Sequence, residues 1–112
     1  MAYNPSQGDI VWVNLNPQAG HEQAGLRPCL IVWGNDTLRL VKGLSQVCPI
    51  SSTDNSFPLH VPLDEASKCT KGFVLCEQSK TIDLAARNAV FKDRVSEDVL
   101  QEVLSILRGL LD

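Results

Sequence analysis

Residues 8–33 read GDIVWVNLNPQAGHEQAGLRPCLIVW, and this stretch decides the fold class of the chain. Its first part, Gly8 to Leu15, is rich in β-branched and aromatic residues with partial alternation, which is typical of a β-strand. Its last part, Pro28 to Trp33, is nearly all apolar and predicts a second, central strand. The polar segment Asn16 to Gly25 joins them, and a loop of this length in a small domain is often functional.

The rest of the chain predicts further short strands and one long helix. The expected elements are a turn over 34–36, a short strand or loop over 38–41, strands over 45–50, 57–63, 72–76, 78–82 and 89–92, and one helical turn over 83–87. The two prolines of 57–63 favour either an edge strand or a strand with the prolines at its ends. Ser96 is a suitable N-cap, and an apolar stripe that includes Val99, Val103 and Leu107 predicts a helix from Ser96 to Leu111.

These elements predict one domain over residues 1–112, mainly β with α. The expected architecture is a small, largely antiparallel β-barrel with a docked C-terminal helix. The composition, 44% hydrophobic and 21% charged, allows a buried core. No apolar run approaches the roughly 20 residues that cross a bilayer, and Met1 to Gln7 does not resemble a signal peptide. We therefore expect a cytoplasmic protein with no membrane partner.

The net charge of −3 at first argues against a nucleic-acid ligand, because nucleic-acid-binding domains are usually basic. All of this net charge comes from the segment that begins at Val95, which contains one basic residue, Arg108, and four acidic residues. The preceding part of the chain carries nine basic and nine acidic residues and is neutral. A locally positive groove is therefore compatible with the composition, through Arg27 with help from Lys80 and Arg87.

The cysteines do not favour a metal site. Cys29, Cys48, Cys69 and Cys76 contain no CxxC pair, whereas zinc ligands usually come in close pairs. Cys29 and Cys48 lie in apolar runs and are expected to be buried, reduced thiols, while Cys69 lies in a polar stretch and is expected to be exposed. Glycine-rich phosphate loops and HExxH motifs are also missing from the sequence. We therefore expect neither a metal nor another cofactor.

Arg27 is the first candidate for chemistry. It stands where the polar loop enters an apolar strand, so its guanidinium needs an anion or a route to solvent. Two interpretations are open from the residues alone: a structural salt bridge with a loop acid such as Glu22, or a clamp for a phosphate or oxyanion.

Hydroxyl and imidazole side chains give weaker signals. Ser51-Ser52-Thr53 follow the end of a predicted strand, where hydroxyls usually stabilise turns. No Gly-x-Ser-x-Gly elbow surrounds them, so a hydrolase nucleophile is not favoured. His21 fits an exposed loop position, and His60, which alternates with its apolar neighbours, fits the opposite side of its strand.

Three blocks together resemble the MazF/PemK toxins, the ribonuclease halves of toxin–antitoxin pairs: residues 8–13 (GDIVWV), 20–28 (GHEQAGLRP) and 48–52 (CPISS). Residues 72–78 (GFVLCEQ) resemble the family's matching strand pair, and the resemblance covers nearly the whole chain. It implies the SH3-like β-barrel shared with the CcdB toxins, usually as a homodimer. It also implies metal-independent cleavage of single-stranded RNA, often mRNA, at short sequences.

The resemblance also assigns site residues. The family's essential arginine maps onto Arg27, its hydroxyl partner onto Ser51, where many members carry Thr, and its loop acid onto Glu22. Ser52 is an alternative source of the hydroxyl, because Ser at position 51 lacks the methyl group that helps to fix the rotamer of Thr. The RNA-binding residues that it implies are Asn16, Gln18, His21, Gln23, Ser52, Gln78 and Lys80.

In this interpretation the RNA 2′-OH is the nucleophile. Arg27 would stabilise the phosphorane charge and donate a proton to the leaving oxygen, Ser51 would bind a phosphate oxygen, and Glu22 would accept the 2′-OH proton or position Arg27. A cognate antitoxin with an acidic, partly disordered tail would compete with RNA for the groove, and the loop from Pro17 to Leu26 would act as a mobile gate.

Two alternatives come from other functional classes. One is a gyrase-binding toxin of the CcdB kind, which the Leu110-Leu111-Asp112 end disfavours because that family relies on Trp-Gly-Ile there. The other is a catalytically weak barrel that only binds RNA or an antitoxin.

Overall fold

The computed structural model describes residues 3–17, 19–54 and 56–112. The elements in chain order are strands β1 (Asp9–Asn14) and β2 (Leu26–Ile31), helix α1 (Asn35–Leu40), strands β3 (Leu44–Ser51), β4 (His60–Pro62) and β5 (Phe73–Leu75), a 3₁₀ turn (Cys76–Gln78), strands β6 (Lys80–Asp83) and β7 (Val90–Arg94), and helix α2 (Glu97–Gly109). The strands form one antiparallel sheet in the order β4-β5-β3-β2-β1-β7, with β6 also paired to β3. The predicted fold class is therefore confirmed.

Strand β3 organises the sheet because it has two successive partners along one edge. Its first half pairs with β6, and its last residues, Ile50 and Ser51, pair with β5. Strand β2 runs along its other edge. Since β2 and β3 are antiparallel, the beginning of β2 and the end of β3 lie side by side, and these two ends carry the principal site residues.

Both faces of the sheet bury apolar side chains. The alternation along β1 explains this arrangement, because Ile10 faces one cluster while Val11 and Val13 face the other. The first cluster packs against α2 through Val99, Leu100 and Val103. We call the other the second cluster; its buried members are Val11, Val13, Leu15, Cys29, Ile31, Leu38, Val47, Ile82 and Leu84.

Helix α2 begins as the sequence predicts. The Oγ of Ser96 accepts a hydrogen bond from the Val99 N–H at 3.1 Å, which satisfies one of the free amides of the first turn. Glu97 and Asp98 lie in that turn, where the helix dipole favours acidic groups. The helix ends at Gly109, two residues before the predicted end.

The segment after β2 corrects the sequence prediction. A turn over 34–36 followed by a strand or loop over 38–41 is wrong, because residues Asn35–Leu40 form helix α1. Only Leu38 of this helix is buried, where it joins the second cluster. A six-residue helix with one apolar anchor is too short to display a helical period in the sequence.

Other differences are shifts of a few residues. Strand β2 begins at Leu26, before Pro28, because Arg27 already pairs with Val13. The strand expected from Gln78 begins at Lys80, since residues 76–78 form the 3₁₀ turn. The helical turn predicted over 83–87 is present as a hydrogen bond of 3.1 Å from the Arg87 N–H to the Asp83 carbonyl.

The cysteines lie as predicted. Cys29 and Cys48 are buried, Cys69 is exposed, and Cys76 is also buried; none of the four is in a disulfide. Across residues 3–17, 19–54 and 56–112, no helix combines the length and apolar character that a membrane span requires.

Candidate active site

Arg27 and Ser51 lie at adjacent ends of two paired strands. The register between β2 and β3 pairs Cys29 with Pro49. Continuing that register by two residues on each strand sets Arg27 opposite Ser51, on the same face of the sheet. The pairing of Arg27 with Val13 identifies this face as that of the second cluster. This register places the two central candidates at neighbouring strand ends, at the rim of a buried core.

Lys80 is a second cation on this face of the sheet. It pairs with Val47 of β3, a member of the second cluster. The thiol of Cys29 responds to both cations: burial raises its pKa to about 12, while the positive charges of Lys80 and Arg27 act in the opposite direction. Both cations therefore lie within electrostatic range of the Cys29 sulfur and make this face of the sheet locally positive.

No acidic residue in the described part of the chain forms a salt bridge with Arg27. Its Nε donates instead to the carbonyl of Ala24, at 3.2 Å. That hydrogen bond fixes the direction of the guanidinium and leaves its terminal N–H groups available to an anion. The salt bridge with Glu22 that the sequence left open does not form, and the phosphate clamp is the better interpretation.

Glu22 stabilises its own loop. One carboxylate oxygen accepts from the Ala19 N–H at 2.9 Å, and the Glu22 N–H donates to the Ala19 carbonyl at 3.1 Å. Its side chain lines a cavity of about 420 Å³, which we call the loop cavity. The full lining of the loop cavity is His21, Glu22, Phe57, Glu77, Gln78, Ser79 and Lys80. The predicted loop acid and the second cation therefore share one cavity.

Gln78 connects this loop to the sheet. Its side-chain oxygen accepts from the Gln23 N–H at 2.8 Å, and its side-chain nitrogen donates to the His21 carbonyl at 3.3 Å. Three of the predicted RNA-binding residues are thus in direct contact. The side-chain oxygen of Gln23 is buried without a hydrogen-bond partner among the described residues.

The base of the loop is closed by a separate set of contacts. The Asn16 side chain accepts from the Gly25 N–H at 3.0 Å. Arg87 donates to the carbonyls of Asn14 and Asn16, at 3.1 and 3.0 Å, so its guanidinium supports the end of β1. Gln18, another predicted RNA-binding residue, lies outside the described residues.

Ser51 is held by its neighbours. It is 8% exposed, and its Oγ accepts from the Thr53 N–H at 3.2 Å, which leaves the hydroxyl proton free to donate. Gly72 packs against its backbone: a Cβ at Gly72 would stand 2.3 Å from the Ser51 carbonyl oxygen. With φ at +129°, Gly72 adopts a conformation that side chains disfavour. A glycine at this position therefore allows the close approach that fixes Ser51.

Ser52 is separated from the other candidates. It lines an open cavity of about 990 Å³ beside β4 and β5, together with Pro62, Lys71 and Phe73. Ser52 follows the last residue of β3, and neither Arg27 nor Ser51 lines its cavity. The geometry favours Ser51 as the hydroxyl partner.

The loop cavity includes residues that the sequence analysis missed. Phe57 and Glu77 line it, and His60 lies next to both. The one available signal was the polar pair Glu77-Gln78 at the end of an apolar run, of which only Gln78 was selected. Phe57 reaches the cavity from a distant segment, and the sequence carries no signal for that. No group of three metal-ligating side chains occurs in residues 3–17, 19–54 and 56–112.

Comparison with known proteins identifies the family. Residues 6–111 match the family model described as PemK-like, MazF-like toxin of type II toxin-antitoxin system. Endoribonuclease PemK of Escherichia coli is 40% identical over 108 residues, which are 94% of this chain and 80% of that protein. Endoribonuclease toxin MazF of Escherichia coli strain K12 is 30% identical over 113 residues, covering 97% and 96% of the two chains.

Solved structures agree with the sequence relatives. Crystalline MazF from Deinococcus radiodurans has a TM-score of 0.88 at 36% identity and covers 98% of both chains. A MazE–MazF crystal structure from the same organism has a TM-score of 0.83 at 38% identity and covers 98% of this chain and 97% of that one. The chain belongs to the PemK-like, MazF-like toxins of type II toxin–antitoxin systems.

Proposed function

We propose that this protein is a sequence-specific endoribonuclease toxin that cleaves single-stranded RNA, mRNA above all, without a metal. The observation that carries the proposal is the unpaired end of the Arg27 guanidinium, which the continued register of β2 and β3 sets opposite Ser51. The relatives named endoribonuclease support the same activity. An mRNA substrate is consistent with the predicted cytoplasmic location.

The proposed reaction is attack of the RNA 2′-OH on its own adjacent phosphate. The oxygen–phosphorus bond to the 2′ oxygen forms, the bond to the 5′ oxygen breaks, and the products are a 2′,3′-cyclic phosphate and a 5′-OH end. Arg27 stabilises the extra negative charge of the phosphorane, and the Ser51 hydroxyl donates to a phosphate oxygen. No protein nucleophile is needed, which fits a site without an activated Ser or Cys.

Two proton transfers complete the proposed reaction. Glu22 accepts the 2′-OH proton, and its hydrogen bond to Ala19 holds the carboxylate at the loop cavity. Arg27 gives a proton to the leaving 5′ oxygen. Free arginine is a very weak acid, so this donation depends on the negative charge that builds up on the leaving oxygen.

We further propose a homodimer and a cognate antitoxin with an acidic, partly disordered tail. The Deinococcus radiodurans MazE–MazF structure supports a protein partner. Carboxylates of such a tail would compete with RNA phosphates for Arg27 and Lys80.

The exposed apolar residues Trp12, Leu26 and Val90, which lie together on β1, β2 and β7, would be covered by one of these partners. The loop over 17–26 would gate access, with Gln78 as its attachment point.

An RNase assay with Arg27→Ala tests the central assignment. Loss of one charge-stabilising donor should lower the cleavage rate of a generic transcript by about 10²–10³-fold. Arg39→Ala is the matched control, because Arg39 lies exposed on α1 and pairs with Asp36.

EDTA should leave wild-type cleavage unchanged, and mass spectrometry should find cyclic phosphate ends. Near wild-type cleavage by Arg27→Ala would refute the assignment, while a wild type that binds RNA without cutting it would favour the catalytically weak barrel.

A further inference from the structure

One wall of the loop cavity is not used by the cleavage chemistry. Phe57 and Glu77 belong to this wall. Phe57 is 45% exposed and the Glu77 side chain is 29% exposed, so a ligand can reach both the aromatic ring and the carboxylate. The volume of the cavity, about 420 Å³, is within the range of small-ligand sites.

The buried side chain of His60 contacts the Glu77 carboxylate. The His60 side chain is only 7% exposed, and its Nε2 lies 2.9 Å from Oε2 of Glu77. The rings of Phe57 and His60 meet edge to face, with centroids 5.1 Å apart. Strand pairing with Leu75 anchors His60 beside the 3₁₀ turn that carries Glu77. One buried histidine therefore contacts both members of the wall.

The hydrogen bonding leaves one carboxylate oxygen available. His60 Nδ1 is buried without a partner among the described residues, and the ring meets Glu77 through Nε2, which donates when it carries the proton. Oε2 accepts this bond, whereas Oε1 has no hydrogen bond within the described residues. The neighbouring Gln78 amide already binds the loop through both of its polar atoms. Glu77 is thus the acceptor that this wall offers to a ligand.

We propose that Phe57 and Glu77 form a base-recognition subsite that takes adenine, cytosine or guanine in preference to uracil, with His60 as its positioning residue. An aromatic ring stacks on any unpaired base. A fixed carboxylate accepts from an exocyclic amino group, which uracil lacks. Uracil presents carbonyl oxygens on both sides of its N–H, and the carboxylate repels them. The inference rests on the proposed ribonuclease function and adds a determinant of its sequence preference.

The experiment measures base preference at each position around the cut. Wild type and variants digest a randomised RNA pool, and sequencing of the ends gives the preferences. Glu77→Gln adds a donor that uracil can accept, so discrimination against uracil should fall at one position by roughly 5- to 150-fold, the factor for one base-edge pair. His60→Leu should also reduce discrimination against uracil at that position. His60→Gln keeps a donor for Glu77, so it should retain more of this discrimination than His60→Leu. Glu102→Gln on the exposed face of α2 is the matched control.

A binding measurement covers variants that cut poorly. An RNA with a 2′-deoxy nucleotide at the cut site cannot be cleaved. Each variant is titrated with a cytosine and a uracil version of this RNA, and the ratio of the two dissociation constants gives the discrimination against uracil. Phe57→Ala should weaken binding of both versions, by roughly 5- to 150-fold for one lost stack.

The outcomes separate the two proposals. A wild type that leaves the pool uncut refutes the ribonuclease function. A wild type that cuts, with unchanged base preference in Glu77→Gln and unchanged binding by Phe57→Ala, refutes the subsite alone.

Discussion

Gly72 provides the sharpest test of how the fold positions Ser51. In Gly72→Ala the new Cβ would stand 2.3 Å from the Ser51 carbonyl oxygen and 2.9 Å from its carbonyl carbon, whereas ordinary contact begins at 3.4 Å. Both atoms belong to the backbone and cannot rotate away. The strand end that carries Ser51 must therefore move by about 1 Å, and a displacement of that size at a catalytic group can lower the rate by about 10²-fold.

The assay for this prediction combines kinetics with stability. We expect kcat for RNA cleavage to fall by about 10²-fold and the free energy of unfolding to fall by several kcal/mol, from backbone strain and from overpacking of about 1–3 kcal/mol. Gly43→Ala is the matched control, because Gly43 also has a positive φ, +86°, but has open space around it. That variant should lose only about 1–2 kcal/mol and cleave normally.

The comparison between the two variants decides the matter. If Gly72→Ala cleaves RNA at the wild-type rate and loses no more stability than Gly43→Ala, the backbone contact does not position Ser51.

Three further predictions follow from single contacts. Ser51→Ala should lower kcat by about 10²-fold through loss of a phosphate donor, Ser51→Thr should retain activity, and Ser52→Ala should cleave like wild type; equal losses at both serines would contradict the assignment. Burial raises the pKa of Asp93, but hydrogen bonds from the backbone N–H groups of Cys69 and Arg94 outweigh it and hold that pKa below its usual range. The ionised carboxylate therefore stabilises the fold at pH values above the unfolded-state pKa of about 3.9. In urea titrations at pH 7, Asp93→Asn should have a lower free energy of unfolding than the wild type. This difference in free energy should vanish as the pH falls through the folded-state pKa of Asp93. Ser96→Ala should cost about 1 kcal/mol by removing the N-cap of α2, measured by thermal unfolding.

The sequence determined the features that depend on local chemistry. The β-branched runs at Gly8–Leu15 and Pro28–Trp33, the N-cap at Ser96 and the apolar stripe after it were sufficient for the strands, the helix and the fold class. The resemblance in residues 20–28 and 48–52 then selected Arg27, Ser51 and Glu22, because short motifs retain both residue type and spacing. Helix α1 was missed because six residues with one buried leucine contain too little periodicity.

The tertiary structure decided which of these residues meet. The antiparallel register of β2 and β3, continued to the strand ends, sets Arg27 across from Ser51, whereas Ser52 lies beyond β3 and lines a different cavity. Phe57 and Glu77 are 20 positions apart in the chain, and only the folded sheet joins them through His60 in one cavity. Local secondary structure depends on neighbouring residues, whereas the wall of a cavity depends on strand pairing between distant segments. For this reason the sequence identified the arginine, and the structure identified its surroundings.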